Sequence, residues 1–127
     1  MGDVGWLHEM IGYWNTGEGE KVAAYHAEDA YSLDTPLGLR HEGREQIAKQ
    51  YPTTLAFSSD SHFAIEHASC DEENYTIQWR WTGTWNSNGK PFDVRGASVG
   101  QLVGGLITVN SDYWSVSQLI DQVGPLQ

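Results

Sequence analysis

Two periods divide the chain. Up to about residue 58 many apolar positions recur every three or four residues, and from about 61 onward they alternate with polar ones. The first spacing lines up one face of a helix, the second one face of a strand. Val4, Leu7, Ile11 and Trp14, with Met10 and Tyr13 beside them, predict a helix over 3–15 with Asp3 as its N-cap. NTGEG (15–19) breaks it. GEKVAAYHA predicts a short helix over 19–27, DAYSLD a strand over 29–34, and TPLG a loop at 35–38. Ile47, Tyr51 and Leu55 predict a helix over 43–58 that Pro52 kinks or ends.

Strands are predicted over 61–70, 75–86, 92–103 and 106–114. DEEN (71–74), NSNGK (86–90) and Gly104-Gly105 separate them, and Asn88-Gly89 suits a hairpin turn that needs positive φ. Ser115 then caps a closing helix that ends at Gly124. The order predicts an α+β domain in which three helices pack on a curved, mixed but mostly antiparallel sheet, leaving a concave face. Gly83, Gly96 and Gly100 are expected at bends or bulges of that sheet.

The strand at 75–86 has the cleanest pattern. Tyr75, Ile77, Trp79, Trp81 and Trp85 alternate with Thr76, Gln78, Arg80, Thr82 and Thr84. The aromatic row faces inward, as plain core or as the wall of a pocket, and each buried indole N–H needs an acceptor. The outer row is polar without being heavily charged.

Composition narrows the partners. The 127 residues suit one domain, 1–127, and 39% hydrophobic content is globular rather than disordered. A net charge of −10 argues against binding nucleic acid or an anionic membrane surface. No run of about 18 apolar residues is present to span a bilayer. Cys70 is the lone cysteine, which fits a reducing, cytoplasmic setting, and MGDVGWLHEMIGYW lacks the basic start of a signal peptide. His8, His26, His41, His62 and His67 have no metal-ligand spacing, and no metal is expected. His62 and His67, an odd number apart on one strand, are expected on opposite faces, and for each histidine a surface or core role is favoured.

DAYSLDTPLGLRHEGREQI resembles the strand, loop and Gly-Arg-Glu helix start of the SnoaL-like polyketide cyclases. VRGASVGQLVGGLITVNSDYWSVSQLIDQVG is similar to that family's ending, a strand, a glycine hairpin and a last strand leading into a short helix. The resemblance runs from about residue 5 to 124 and rests on the ordered set of motifs. It implies the cone-shaped α+β barrel shared by nuclear-transport-factor-two-like proteins, ketosteroid isomerase, limonene epoxide hydrolase and the cyclases, with a deep apolar cavity. It also implies homodimers through the outer sheet face.

The resemblance makes Asp112 the candidate acid/base. A carboxyl in an apolar cavity is driven toward its neutral form, which suits proton transfer near neutral pH. Thr108, Asn110, Asp112 and Trp114 are expected on one face of the last strand. Asp34 is the second candidate, although it also suits the turn before Thr35-Pro36. The water-holding Tyr and Asn of the epoxide hydrolases are replaced here by Ser32 and Asp34. Spacing from Asp112 places Gly96 and Ser98 where the cyclases carry glutamine and histidine, and turns Asp93 and Arg95 outward. Tyr13, Trp14, Trp79, Trp81, Ser98, Asn110 and Trp114 complete the expected ligand-binding set. The expected ligand is a small hydrophobic, ring-shaped molecule, handled without a cofactor. An isomerase or cyclase type of acid/base enzyme leads, with epoxide-hydrolase-like water addition, non-catalytic ligand binding and a dimeric interaction module as alternatives.

Overall fold

The computed structural model describes residues 2–126. Its elements are α1 (Gly5–Asn15), α2 (Gly19–Ala23), β1 (His26–Asp34), β2 (Leu39–Glu42), α3 (Gly43–Ala48), α4 (Gln50–Phe57), β3 (His62–Cys70), β4 (Asn74–Thr84), β5 (Pro91–Val103), β6 (Leu106–Trp114) and α5 (Val116–Val123). The six strands form one sheet in the order β2-β1-β6-β5-β4-β3. Among the described residues only the β1–β6 pair is parallel. The sheet is curved but does not close. The α+β class predicted from the pattern is therefore the one observed.

Local chemistry sets the helix ends. Val4 occupies the N-cap position of α1, one residue later than predicted, yet Asp3 still supplies the cap, its Oδ1 accepting the Gly5 N–H at 2.8 Å. The helix predicted over 43–58 is two helices that meet at Lys49. Pro52 is the third residue of α4, inside a first turn whose N–H groups have no helical partner to lose. It starts the second helix rather than ending the first. Ser115 Oγ accepts the Gln118 N–H at 3.2 Å and caps α5 as predicted.

Two elements differ from the pattern. β1 begins at His26, so the short helix predicted over 19–27 stops at Ala23. The loop after Asp34 returns as β2, a short edge strand pairing antiparallel with β1. Its four residues are too few for alternation to register.

Aromatic rings organise the core. Tyr75, Trp79, Trp81 and Trp85 are all buried with Leu7, Val94 and Ile107. Gly96 and Gly100 mark no bulge. They sit opposite Trp79 and Tyr75 across the β4–β5 ladder, and those rings lie over them. A Cβ on Gly96 would fall 2.3 Å from Trp79 Cη2, and one on Gly100 2.0 Å from Tyr75 Cε2. The register shifts lie elsewhere, between His26 and Tyr31, Ile65 and His67, and Gln101 and Leu102.

These shifts reset strand parity. The one in β3 leaves His62 and His67 both exposed, not on opposite faces. The one at the start of β6 makes Ile107 the fully buried residue, while Thr108 turns its hydroxyl to the Gln101 carbonyl. From Asn110 onward the predicted parity is restored.

Where strand pairing ends, side chains replace it. Asn15 both donates to and accepts from the Phe63 backbone at 2.8 Å, covering edge strand β3. Gln122 of α5 does the same for Asp93 of β5, beyond the last residue paired with β6.

Candidate active site

Strand register assembles the site row by row. In one row His41, Ser32, Asn110, Gly100 and Tyr75 are successive partners from β2 to β4. In the next, Leu39, Asp34, Asp112, Ser98 and Ile77 follow each other in the same way. In the third, Trp114 pairs with Gly96 and Gly96 with Trp79. Polar side chains thus gather on β1, β2 and β6, and aromatic ones on β4. Between the sheet and the helices lies a cavity of about 170 Å³. Trp14 of α1, Gln50 and Phe57 of α4 and Leu119 of α5 close it on the helical side.

Asp112 is the centre of the polar rows. Ser98 Oγ donates to its Oδ1 at 2.6 Å and Asn110 Nδ2 to the same atom at 2.9 Å. Among the described residues no group donates to Oδ2. Burial in the cavity raises the Asp112 carboxyl to about 6, against the lowering effect of Ser98 and Asn110, and Asp34 adds to the rise. The orientation of Asn110 is fixed by Tyr75, whose hydroxyl donates to Asn110 Oδ1. That turns the amide NH2 toward Asp112 and Ser32. Burial holds the Tyr75 phenol well above its ordinary range, so it stays a donor.

Asp34 lies in the same cavity. Its Oδ1 accepts the Trp114 indole N–H at 3.1 Å and, more weakly, the Leu37 backbone N–H at 3.4 Å. Asp34 therefore supports its turn and lines the cavity together. Burial raises its carboxyl, while those two N–H groups and His41 act against the rise. Burial lowers His41, and Asp34 partly offsets that.

Three indole N–H groups of the cavity wall have side-chain acceptors. Trp79 donates to Ser98 Oγ at 2.9 Å, Trp81 to Ser61 Oγ at 3.0 Å, and Trp114 to Asp34. Trp79 thus holds the serine that holds Asp112. Two buried nitrogens, Trp14 Nε1 and His41 Nδ1, find no partner among the described residues, and both side chains line the cavity.

The structure brings Asp112, Asp34, Trp14, Trp79, Trp81, Ser98, Asn110 and Trp114 around one cavity. It leaves Tyr13 out, because the wall runs through Met10, Ile11 and Trp14. Tyr13 instead carries Lys21 Nζ 5.0 Å from its ring centroid. Arg95 and Asp93 turn outward to Glu66 and Arg80, as their parity predicts. His26 and His41, for which a surface or core role is expected from the sequence, line the cavity, and so does Gln50. The missed strand β2 hid His41, since its pairing with inward-facing Ser32 is what places it. Among the described residues no three His, Cys, Asp or Glu side chains gather in a metal-binding group.

Comparison with known proteins identifies the family and the fold. The model of the SnoaL-like domain family matches residues 7–110. The chain belongs to the SnoaL-like domain family. No curated protein matches it. Among solved structures, a ketosteroid-isomerase-like protein from Catenulispora acidiphila DSM 44928, in complex with trimethylamine, is 27% identical over 91% of this chain and 89% of its own, with a TM-score of 0.83. A protein from Jannaschia sp. CCS1 that is named for SnoaL-like polyketide cyclases is 15% identical, over 94% and 92%, with a TM-score of 0.75. One from Kribbella flavida DSM 17836, named for ketosteroid isomerase, is 17% identical, over 86% and 74%, with a TM-score of 0.69. The last two share the fold. Among the described residues no helix is long and apolar enough to cross a membrane.

Proposed function

We propose that this SnoaL-family protein is a cofactor-independent acid/base enzyme of the isomerase or cyclase type, with Asp112 moving the proton. The observation that carries the reading is the split of Asp112's two oxygens. Oδ1 is held by Ser98 and Asn110, and Oδ2 lies in the cavity with no donor among the described residues. A carboxylate anchored at one oxygen and displaced to about 6 can take a proton at the other and give it back near neutral pH. In the isomerase form, Oδ2 takes a proton from a carbon next to a carbonyl and returns it to a second carbon. Tyr75, through Asn110, keeps the carboxylate aimed.

The cavity volume sets the ligand's size. About 170 Å³ encloses a single small ring, since a cavity of about 150 Å³ holds benzene. A larger substrate would place one ring against Asp112 and leave the rest outside. Five of the six tryptophans line the space, which suits an apolar cyclic ligand. Water addition to an epoxide is less well supported, because Arg95 faces away from the cavity. Asp34 is assigned a supporting role through Trp114 and through its charge on Asp112.

The reading extends to a cytoplasmic homodimer formed through the outer sheet face, where Val99 and Tyr113 are exposed. The test of function is a screen of single-ring ketones and enones for isomerisation or solvent-deuterium uptake, with Asp112→Asn as control. A wild-type activity that Asp112→Asn abolishes while the fold persists supports the reading, and an activity that survives it removes Asp112 as the catalyst.

A further inference from the structure

The charge on the cavity wall is one-sided, and that asymmetry points to a class of ligand. On the acceptor side, Asp112 Oδ2 and Asp34 Oδ2 both lack a donor among the described residues, while the Oδ1 atom of each is engaged. On the donor side, the N–H groups of Trp79, Trp81 and Trp114 are committed to Ser98, Ser61 and Asp34 respectively, while the buried Trp14 Nε1 has no partner among the described residues. Both N–H bonds of the Asn110 amide are likewise used, on Asp112 and Ser32. What those tryptophans offer a ligand is the aromatic surface they turn to the cavity. Trp81 and Trp114 meet edge to face at 82° with centroids 5.9 Å apart, and both line the cavity that Asp112 lines. Among the described residues no Lys or Arg lines the cavity.

Free carboxylate oxygens and aromatic faces without a resident cation are the chemistry that recognises an ammonium group. An anionic ligand would meet two carboxylates and no counter-charge. We propose that the ligand of this cavity is a protonated, single-ring alkylamine, its N–H donating to Asp112 Oδ2 and its alkyl carbons seated against Trp81 and Trp114. Ser32 and Gln50, hydrogen-bonded at 3.3 Å toward the His41 side, are placed to meet a second polar group on the ring. The proposal rests on the reading of this cavity as the ligand site; an ammonium on Oδ2 occupies the atom that takes the proton, so the amine is a ligand of the cavity and not the substrate of the isomerisation.

The other titratable groups on the cavity wall are Asp34 and His26 of β1 and His41 of β2, with Tyr75 of β4 reaching it through Asn110. Burial lowers both histidines, so neither supplies a positive charge near neutral pH. Protonating Asp112 removes the charge that an ammonium needs, and binding should weaken as pH falls through the Asp112 transition.

The test uses an isosteric pair, 1-methylpiperidin-4-ol, which is cationic, and 4-methylcyclohexan-1-ol, which is neutral. Affinities are measured by calorimetry and by chemical-shift titration of the indole N–H signals. At about pH 7.5 the amine should bind at least about tenfold more tightly than the alcohol. That preference should shrink at about pH 5 and collapse in Asp112→Asn, while alcohol binding persists. Equal or tighter binding of the alcohol, or no cavity shifts with the amine at millimolar concentration, overturns the proposal. Tight binding of the alcohol alone would do so while leaving Asp112's acid/base role intact.

Discussion

Replacing Asp112 with Asn should stabilise the protein at neutral pH. Burial raises the Asp112 carboxyl from 3.8 to about 6, so the folded state binds that proton more tightly than the unfolded chain does. Asp112's contribution to stability is therefore most favourable below about pH 3.8 and is lost as pH rises through about 6. The gap between 3.8 and about 6 corresponds to about 3 kcal/mol. Since Asp112 keeps some contact with solvent through the cavity, about 1–3 kcal/mol is expected above pH 6. Asparagine retains an oxygen to accept from Ser98 and Asn110 and carries no charge. Asp112→Asn should thus exceed wild type by that margin in urea unfolding at about pH 7.5, and the margin should vanish near pH 4. A variant that is less stable than wild type by the same amount at both pH values would refute the argument, because its defect would then be packing rather than charge.

Gly96→Ala should destabilise the fold by about 1–3 kcal/mol or more in urea and perturb indole fluorescence, because the new Cβ lands on the Trp79 ring. Tyr75→Phe should cost only about 1 kcal/mol of stability. It should lower kcat more than it raises KM once an activity is in hand, because it frees the Asn110 amide to turn. Val99→Lys combined with Tyr113→Lys on the exposed outer face should convert a dimer to a monomer in light scattering without changing the thermal midpoint of the isolated chain.

The long alternating strands were legible because each is longer than the reach of local irregularity. The inner row of β4 reads directly from Tyr75 to Trp81, and Asn110, Asp112 and Trp114 share a face as their spacing requires. What the pattern could not carry is set by pairing. A bulge adds one residue to one strand only, and nothing in HFAIEHASC or LITVN marks where the partner skips. Hence His62 and His67 share a face, and Thr108 gives way to Ile107. β2 is four residues with no apolar run, and it forms only because β1 lies beside it, so His41 stayed hidden. Tyr13 was misplaced by helical angle. Trp14 reaches the cavity while its neighbour, about 100° further round, does not. The glycines opposite Trp79 and Tyr75 were visible as glycines, but what they accommodate is a ring on another strand.

The account turns on one carboxyl in one cavity. Its most direct test is a carbon-13 NMR titration of the Asp112 side chain in the ligand-free protein, assigned with Asp112→Asn. A midpoint near 6 is predicted, moving lower in Asp34→Asn because one raising charge is removed. A midpoint at or below the ordinary aspartate value of 3.8 would contradict the account, since Asp112 would then be a solvated carboxylate with no proton to exchange near neutral pH.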